Sequence, residues 1–160
     1  MGGSTISQDA SVLVVLVVDD EALIRDLAQR VLERAGYAVL SAQDGHEALR
    51  ILRRRPGLID LVILDLTMPD LSGHDILAEI REMGCPAKVI VCSGVAGEAE
   101  DVEGLLAAGA AGFLPKPFQL GELTARVRQV LGQRQESVAR SQESEERLTA
   151  LAAVGPSAGA

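Results

Sequence analysis

Acidic, hydroxyl and basic side chains stand where apolar runs of this chain end. One run ends on the pair Asp19-Asp20 and another on Asp65. Later runs are followed by Ser93 and by Lys116, which is one of only two lysines in the chain. If the fold brings these ends together, three carboxylates, a hydroxyl and an ammonium share one crevice.

Carboxylates cannot crowd together in ionised form without compensation. Two like charges about 4 Å apart repel by about 4 kcal/mol at an effective dielectric of roughly 20. Such a site therefore needs bound protons or a hard cation. Mg²⁺ is the expected ion, because it takes oxygen ligands from carboxylates, waters and phosphates. A carboxylate beside Mg²⁺ can attack a phosphoryl group, and Ser93 and Lys116 would donate hydrogen bonds to the phosphoryl oxygens.

The elements that must position these residues follow a regular alternation. Continuous apolar runs predict strands buried on both faces, and apolar residues at helical spacing predict the helices between them. Five strand–helix units predict an α/β fold with a parallel sheet, helices on both faces and right-handed crossovers. Ligands of such folds bind at the carboxyl ends of the strands. The predicted strands are residues 12–18, 37–42, 58–65, 87–92 and 111–114, and the predicted helices are residues 21–35, 44–54, 72–83, 97–108 and 120–131.

Composition limits the classes of function. The chain has 160 residues, 48% hydrophobic and 24% charged, which suits a globular cytoplasmic domain. Its net charge of -8 disfavours nucleic acids and anionic membranes as partners, since phosphate binding requires clustered Lys and Arg. No apolar run approaches the roughly 20 residues of a membrane span. Cys85 and Cys92 form neither a metal-binding pattern nor a disulfide framework.

Several motifs occur in order at the predicted strand ends: the acid pair Asp19-Asp20, the Asp-Leu-Thr-Met-Pro-Asp-Leu-Ser-Gly segment of residues 65–73, Ser93-Gly94 and Lys116-Pro117-Phe118. Together they resemble the receiver domain of bacterial two-component response regulators, and a single-domain chemotaxis regulator in particular. The similarity covers about residues 12–131. It implies a flavodoxin-like, doubly wound (βα)5 sheet with the strand order 2-1-3-4-5, followed by a C-terminal helical extension.

The resemblance implies roles for the acidic residues. Asp65 would be the phosphoacceptor, which receives its phosphoryl group from a histidine kinase or phosphotransfer protein. Asp20 would bind Mg²⁺ directly, Asp19 would be a second acid acting partly through water, and the backbone carbonyl of Thr67 would be a further metal ligand. Mg²⁺ would be the cofactor of a signalling protein rather than an enzyme, since the domain would catalyse only its own phosphorylation and slow autodephosphorylation.

The resemblance also implies a switch. Ser93 would be the switch hydroxyl, Lys116 would bind the phosphoryl group, and Lys116-Pro117 would be a cis peptide bond. Phe113 would be an aromatic side chain on the fifth strand that turns inward on phosphorylation. The face made by helix four, strand five and helix five would then change for partner binding. Two residues depart from the commoner pattern of the family, because Ser93 replaces Thr and Phe113 lacks the hydroxyl of Tyr.

The chain divides into three predicted parts. Residues 1–11 would be a flexible tail, residues 12–132 the receiver domain, and residues 133–160 a helical connector and disordered tail. The connector contains a Ser-Glu-Glu-Arg-Leu-Thr-Ala-Leu run that resembles helices leading from receivers into sensor or kinase modules. Its apolar seam fails in the middle, so at most a weak homodimer is expected. The downstream partner would be an unknown protein or a covalently linked output module.

Three other functions fit part of this pattern. A haloacid-dehalogenase-type phosphatase also uses an aspartyl nucleophile and Mg²⁺, but it resembles Asp-x-Asp, and here Thr67 occupies the position of the second acid. A flavodoxin needs a phosphate-binding loop after the first strand, where this chain has two acids that repel phosphate. A receiver-like module that has lost phosphorylation would only bind partners, which the intact set of residues disfavours.

Overall fold

The computed structural model describes residues 12–94 and 102–132, in which strands and helices alternate strictly. The elements are β1 (Val14–Val18), α1 (Ala22–Arg34), β2 (Ala38–Ala42), α2 (Gly45–Arg54), β3 (Leu61–Asp65), α3 (Gly73–Glu82), β4 (Lys88–Ser93), α4 (Val102–Ala107), β5 (Gly112–Pro115) and α5 (Leu120–Leu131). Neighbouring strands pair in parallel, in the order β2-β1-β3-β4-β5. This is the flavodoxin-like order predicted from the sequence.

The two central strands, β1 and β3, are buried at every position. Their side chains point alternately to the two faces of the sheet and so contribute to two separate cores. In β1, for example, Leu16 lies in the first core and Val17 in the second. Burial on both faces explains why these strands are continuously apolar rather than alternating between apolar and polar residues.

Helices cover both faces of the sheet, as predicted. The first core includes Leu49 of α2, Ile76 of α3 and Leu105 of α4. The second core includes Leu32 of α1 and Leu123 of α5. Each fully buried side chain of this size stabilises the fold by about 2 kcal/mol. The two cores together hold the strands, and therefore the strand ends, in fixed relative positions.

Side chains just before two of the helices fix where those helices begin. The Ser72 hydroxyl accepts a hydrogen bond from the backbone N–H of Asp75 over 3.0 Å, so Ser72 is the N-cap of α3. The Asp44 carboxylate accepts one from Glu47 over 2.8 Å and caps α2, whereas the sequence placed Asp44 inside the helix. A side-chain cap of this kind contributes about 1 kcal/mol.

Some predicted boundaries differ from the structure. β3 begins at Leu61, three residues later than predicted, although the preceding apolar residues are buried. The Asp60 carboxylate there accepts a hydrogen bond from the Val14 N–H over 2.8 Å, in addition to the backbone bond from the Asp60 N–H to the Val14 carbonyl over 2.9 Å. β4 includes Ser93, which was predicted to follow the strand. Apolar composition predicted that the strands exist but not where they begin and end. Apolar residues outside the paired part of a strand, such as those before Leu61, are buried as well.

Other predictions fall outside the described residues. These are the flexible tail of residues 1–11, the connector and disordered tail of residues 133–160, and the first part of the helix predicted for residues 97–108. The described part of that helix, α4, is six residues long. Among residues 12–94 and 102–132, no helix combines the length and apolar character that crossing a membrane requires.

Candidate functional site

The carboxyl ends of β1, β3, β4 and β5 bring together the residues singled out in the sequence. Val18 of β1 pairs with Leu64 of β3, so Asp19 and Asp65, which follow them, stand at the same level of the sheet. Asp65 in turn pairs with Cys92 of β4. Because β2 and β3 lie on opposite sides of β1, the strand order reverses here. This is the place where open α/β sheets bind their ligands.

Asp19, Asp20 and Asp65 form an acidic cluster at this edge. One carboxylate oxygen of each lies within 4.8 Å of the oxygens of the other two. Asp19 and Asp65 are only 3% and 2% exposed, whereas Asp20 is exposed. Carboxylates this close repel one another when ionised, which makes the cluster a candidate cation site. The sequence predicted this convergence from the strand ends.

Asp19 is anchored by each of its oxygens. Its Oδ1 accepts a hydrogen bond from the backbone N–H of Glu21 over 2.9 Å, and its Oδ2 accepts one from Lys116 Nζ over 2.8 Å. Its backbone carbonyl accepts a further one from the Arg25 guanidinium over 2.6 Å. Asp19 therefore ties the end of β1 to α1 and to the loop after β5, while Asp20 presents the more accessible carboxylate.

The Asp65 carboxylate is held on both sides. Its Oδ1 accepts hydrogen bonds from the Thr67 backbone N–H over 3.1 Å and from the Thr67 hydroxyl over 2.9 Å. Its Oδ2 lies 3.4 Å from Lys116 Nζ. An Asp side chain that accepts a hydrogen bond from the N–H two residues later is a frequent turn arrangement. These contacts fix the orientation of the carboxylate in the crevice.

The Thr67 hydroxyl is a feature that the sequence analysis missed, since only the Thr67 backbone carbonyl was given a role. A hydroxyl two residues after an acid can turn back to bond it, and this spacing is the signal that was available. Because the hydroxyl donates to Asp65, position 67 supplies a donor and not the second acid of an Asp-x-Asp site. This contact disfavours the haloacid-dehalogenase alternative.

Lys116 supplies positive charge to the cluster. Its side chain is 17% exposed, and its Nζ bridges Asp19 and Asp65. Burial alone would lower the pKa of Lys116, but the hydrogen bond to Asp19 and the charges of Asp65 and Asp19 raise it above its ordinary value of 10.5. Lys116 is therefore a cation at neutral pH. Two carboxylates contact this ammonium and Asp20 adds a third to the cluster, so acidic side chains outnumber basic ones there.

Ser93 and Phe113 lie on neighbouring strands close to the cluster. Ser93 ends β4, is 3% exposed, and accepts a hydrogen bond at its carbonyl from the Lys116 N–H over 2.8 Å. Phe113 is half-buried against the first core and pairs with Val91, two residues before Ser93. Residues two apart on a strand point to the same side. Ser93 and Phe113 therefore share one face of the sheet.

Cys92 adjoins the cluster but does not add chemistry to it. Burial raises the pKa of the Cys92 thiol to about 12; Lys116 lowers it in part, while the carboxylates of Asp65 and Asp19 raise it further. A protonated thiol is neither a strong nucleophile nor a metal ligand. Cys92 therefore packs in the second core.

The donor set of the cluster fits Mg²⁺. This ion prefers carboxylate oxygens and keeps several waters, which an exposed position allows. Asp20 is exposed, whereas Asp19 and Asp65 lie deeper, so a hydrated cation can meet the cluster from the solvent side. The excess of carboxylates over ammonium groups supplies the charge that the ion requires.

An apolar groove lies beside Lys116. It has a volume of about 330 Å³ and runs between α1, the residues that follow β5 and the start of α5. The Lys116-Pro117 peptide bond in its wall is cis. Leu27 and Leu120 on its rim are 36% and 41% exposed. The groove therefore presents exposed apolar side chains next to the acidic cluster.

Comparison with known proteins identifies relatives over most of the chain. The family model of the response regulator receiver domain matches residues 15–128. Response regulator MprA of Mycolicibacterium vanbaalenii is 42% identical over 118 residues, which make up 73% of this chain and 49% of that protein. Sensor kinase CckA of Brucella abortus is 39% identical over 117 residues, which make up 73% of this chain and 12% of that protein. The chain thus spans about half of the first relative and far less of the second.

Solved structures share the fold. Response regulator TrrA of Thermotoga maritima, determined in complex with Mg²⁺ and BeF, matches with 35% identity and a TM-score of 0.65. The match covers 74% of this chain and 99% of that one. The strand order, the acidic crevice and the family match over residues 15–128 agree with one another. This protein therefore belongs to the family of response regulator receiver domains.

Proposed function

We propose that this receiver domain accepts a phosphoryl group on Asp65 from the phosphohistidine of a histidine kinase or phosphotransfer protein, with Mg²⁺ as cofactor. The position of Asp65 carries the proposal. Its buried carboxylate lies 3.4 Å from Lys116 Nζ and within 4.8 Å of the Asp19 and Asp20 carboxylates. A carboxylate between an ammonium and a cation site is the arrangement that phosphoryl transfer to aspartate requires.

The transfer exchanges one bond to phosphorus for another. A carboxylate oxygen of Asp65 forms the new P–O bond while the P–N bond to the donor imidazole breaks. The electron pair of the P–N bond stays on the imidazole nitrogen, and the ring leaves as neutral histidine when its other nitrogen carries a proton. The product is an acyl phosphate on Asp65. Attack of water on its phosphorus would later release inorganic phosphate and restore the carboxylate.

Three side chains around Asp65 have separate roles in this transfer. The Lys116 ammonium stabilises the negative charge that spreads over the phosphoryl oxygens in a loose transition state. Ser93 would donate its hydroxyl proton to one of these oxygens. Thr67 holds the Asp65 carboxylate through two hydrogen bonds before the donor arrives, and such orientation lowers the barrier to reaction.

The proposed metal site consists of oxygen ligands only. Asp20 would bind directly, because its carboxylate is accessible, whereas Asp19 is bonded to Lys116 and would act partly through water. Asp65 and the backbone carbonyl of Thr67 would complete the protein ligands. Bound Mg²⁺ would offset the negative charge of the carboxylates and of the incoming phosphoryl group.

The apolar groove beside Lys116 is the proposed docking surface for the phosphodonor. Asp65 is 2% exposed, so a donor imidazole reaches it only if the donor protein is held accurately against the crevice. Leu27 and Leu120 offer apolar contact area next to Lys116. A groove of this kind suits the apolar face of a helix, and that helix would also carry the phosphohistidine.

The proposed output is a change in the face formed by α4, β5 and α5, driven through Ser93 and Phe113. An unknown downstream protein, a covalently linked output module or a second copy in a weak homodimer would bind there. The protein would act as a cytoplasmic signalling phosphoacceptor and not as an enzyme on other substrates. Its net charge of -8 argues against nucleic acid or an anionic membrane as the partner.

Mass spectrometry of the intact protein tests the phosphoacceptor. Incubation with acetyl phosphate and Mg²⁺ should add one phosphoryl group to the wild type and none to Asp65→Asn, which keeps the shape of the side chain. Asp60→Asn is the matched control, since it changes another buried acid on the same segment, away from the cluster. It should still be phosphorylated, and omission of Mg²⁺ should prevent the reaction.

The alternatives predict other results in the same assay. A phosphoryl group that persists undiminished in Asp65→Asn would contradict the assignment. A wild type that stays unmodified by acetyl phosphate and by a phosphohistidine donor would indicate a receiver-like module without phosphorylation. Continuous release of phosphate from unrelated phosphate esters would indicate a phosphatase.

A further inference from the structure

The side chain of Asp70 binds the first turn of α2 from the loop between β3 and α3. Its Oδ1 accepts a hydrogen bond from the Gly45 N–H over 3.2 Å, and its Oδ2 accepts one from the His46 N–H over 3.1 Å. The same Oδ2 lies 2.8 Å from His46 Nδ1. Burial would raise the pKa of Asp70, but the hydrogen bonds that it accepts from Gly45 and His46 lower it below its ordinary value. Asp70 is therefore bound as a carboxylate.

The helix α2 already has a cap from its own sequence. Asp44 accepts from the Glu47 N–H over 2.8 Å, and the Glu47 carboxylate accepts from the Gln43 N–H over 2.8 Å. Side chains of residues 44 and 47 thus already bond N–H groups at the start of the helix. Asp70 binds other N–H groups of the same turn, from a loop 24 and 25 residues further along the chain. Its contacts therefore connect the loop to α2 in addition to capping the helix.

Close packing surrounds this connection. A Cβ at Gly45 would lie 2.7 Å from Ile76 Cδ1 and 3.0 Å from Leu71 Cβ, so a larger residue would have to displace side chains where the loop and α3 contact α2. A Cβ at Gly73 would lie 2.8 Å from Leu66 Cα, so the two ends of the loop are in contact. The loop of residues 66–72 is thus closed at its base and bound to α2 by Asp70 on its outer side.

We propose that Asp70 is a positioning residue for the metal site, an inference that rests on the proposed function. By fixing the outer part of the loop against α2, Asp70 sets the position of Thr67, which binds Asp65 and whose carbonyl is a proposed Mg²⁺ ligand. A loop held in place before the ion arrives loses less conformational entropy on binding. Residues that orient metal ligands without touching the ion commonly change its affinity by tenfold or more.

Asp44, His46 and Asp70 have ligand atoms within 4.8 Å of one another, which could suggest a second metal site. The hydrogen bonds of these residues fit a contact between the loop and α2 better than a metal site. Both oxygens of Asp70 already accept hydrogen bonds from backbone N–H groups, and Asp44 accepts one from Glu47. These bonds come from the first turn of α2, where the helix dipole favours anions and disfavours cations. The group therefore serves as a contact between two segments.

The test compares the Mg²⁺ affinity of three full-length proteins: the wild type, Asp70→Ala and Asp44→Ala. Calorimetric titration with Mg²⁺ gives the affinity, and thermal unfolding gives the stability. Asp44→Ala is the matched control, since it also removes a capping carboxylate from α2 but leaves the loop contact intact. Asp70→Ala should weaken Mg²⁺ binding about tenfold, while Asp44→Ala should bind Mg²⁺ as the wild type does, although both unfold at lower temperature.

Each other outcome counts against the inference. Wild-type affinity in Asp70→Ala, or an equal loss in both variants, would show that Asp70 acts only as a helix cap. A wild type that binds no Mg²⁺ would overturn the proposed metal site as well as the role of Asp70. The wild-type titration therefore distinguishes failure of the metal site from failure of the positioning role alone. If Asp70→Ala does not fold, Asp70→Asn decides: it loses one of the two acceptor oxygens that bind α2, so it should bind Mg²⁺ more weakly than the wild type, and wild-type affinity in that folded variant would overturn the proposal.

Discussion

Lys116 donates a hydrogen bond to Asp19 over 2.8 Å and so joins residues that lie 97 positions apart in the sequence. The ammonium that anchors Asp19 also lies 3.4 Å from Asp65. The acid that holds the end of β1 and the proposed phosphoacceptor therefore share one positive charge. A phosphoryl group on Asp65 would compete with Asp19 for Lys116, so the proposed phosphorylation would affect the contact that anchors Asp19 as well as Asp65 itself.

The two adjacent acids should respond in opposite ways to substitution. Asp20→Ala removes an exposed carboxylate from a crowded cluster, so its melting temperature without Mg²⁺ should equal or exceed that of the wild type. Asp19→Ala leaves Lys116 without its closest partner and should lower the free energy of unfolding by about 3 kcal/mol. Thermal and urea unfolding measure both effects.

Asp20→Ala also tests the assignment of Asp20 as a metal ligand. Asp20→Ala should fold and yet show no Mg²⁺-dependent phosphorylation by acetyl phosphate, because the proposed direct ligand is gone. An Asp20→Ala protein that is unfolded, or that binds Mg²⁺ as tightly as the wild type, would contradict the role of Asp20.

The contribution of Lys116 to the free energy of unfolding should fall as the pH rises in the alkaline range. Because the pKa of Lys116 is raised in the folded protein, its contribution is complete below its ordinary value of 10.5 and is lost as the pH rises through the higher folded value. Lys116→Met should be less stable than the wild type at neutral pH, but its stability should fall less steeply above pH 10.5. Urea unfolding of both proteins across this range measures the difference.

Tyr37 provides an internal control for this comparison. Burial raises the pKa of Tyr37 above its ordinary value of 10.0, and Arg128 offsets this only in part, so ionisation of Tyr37 opposes folding at alkaline pH. The wild type and Lys116→Met both contain Tyr37, so its effect cancels when the free energy of unfolding of one is subtracted from that of the other. Stability curves that remain parallel above pH 10.5 would show that Lys116 does not contribute in this way.

Phosphorylation should move Ser93 and Phe113 together. A Ser93 hydroxyl that donates to the phosphoryl group would leave space on the face that it shares with Phe113, and the half-buried ring would turn into it. Amide NMR shifts should then extend from the loop after Asp65 into β5 and α5. Phe113→Ala should keep the phosphorylation and lose the shifts in α5. Shifts confined to residues 66–72 would contradict this coupling.

The convergence of the site was predictable because the fold enforces it. Parallel strands that alternate with helices bring all their carboxyl ends to one edge of the sheet. A charge is excluded from the middle of strands buried on both faces, so Asp19, Asp65 and Lys116 had to lie where β1, β3 and β5 end. Their proximity thus depends on the cores, whose apolar pattern is visible in the sequence.

Contacts made by loops were not predictable in the same way. The bond from the Thr67 hydroxyl to Asp65 depends on a side-chain rotamer, and the binding of Asp70 to α2 depends on two loops from distant parts of the chain. Asp60 lies inside a predicted strand, and the strand pattern gave no sign that its carboxylate bonds to the Val14 N–H. Apolar periodicity carries no information on such polar contacts, because it reports only burial.

Deletion of residues 133–160 should leave the phosphorylation of Asp65 intact. The last residue of α5, Leu131, is fully buried in the second core, so the helix completes its packing before Gly132.

In the sequence, positions that keep the spacing of the apolar residues of α5 are polar for some way past Gly132 and become apolar again only further on. Its members are Leu120, Leu123, Val127 and Val130, then Arg134, Ser137, Ser141 and Ser144, then Leu148 and Leu151. A stable coiled coil needs apolar positions sustained over three or four heptads, so this segment should not dimerise strongly alone. Truncation should leave the acetyl phosphate reaction unchanged. It should instead change oligomerisation or partner docking, which analytical ultracentrifugation measures. A truncated protein that fails to fold or to become phosphorylated would show that the segment belongs to the receiver core, because only loss of core packing would reach Asp65 from beyond α5.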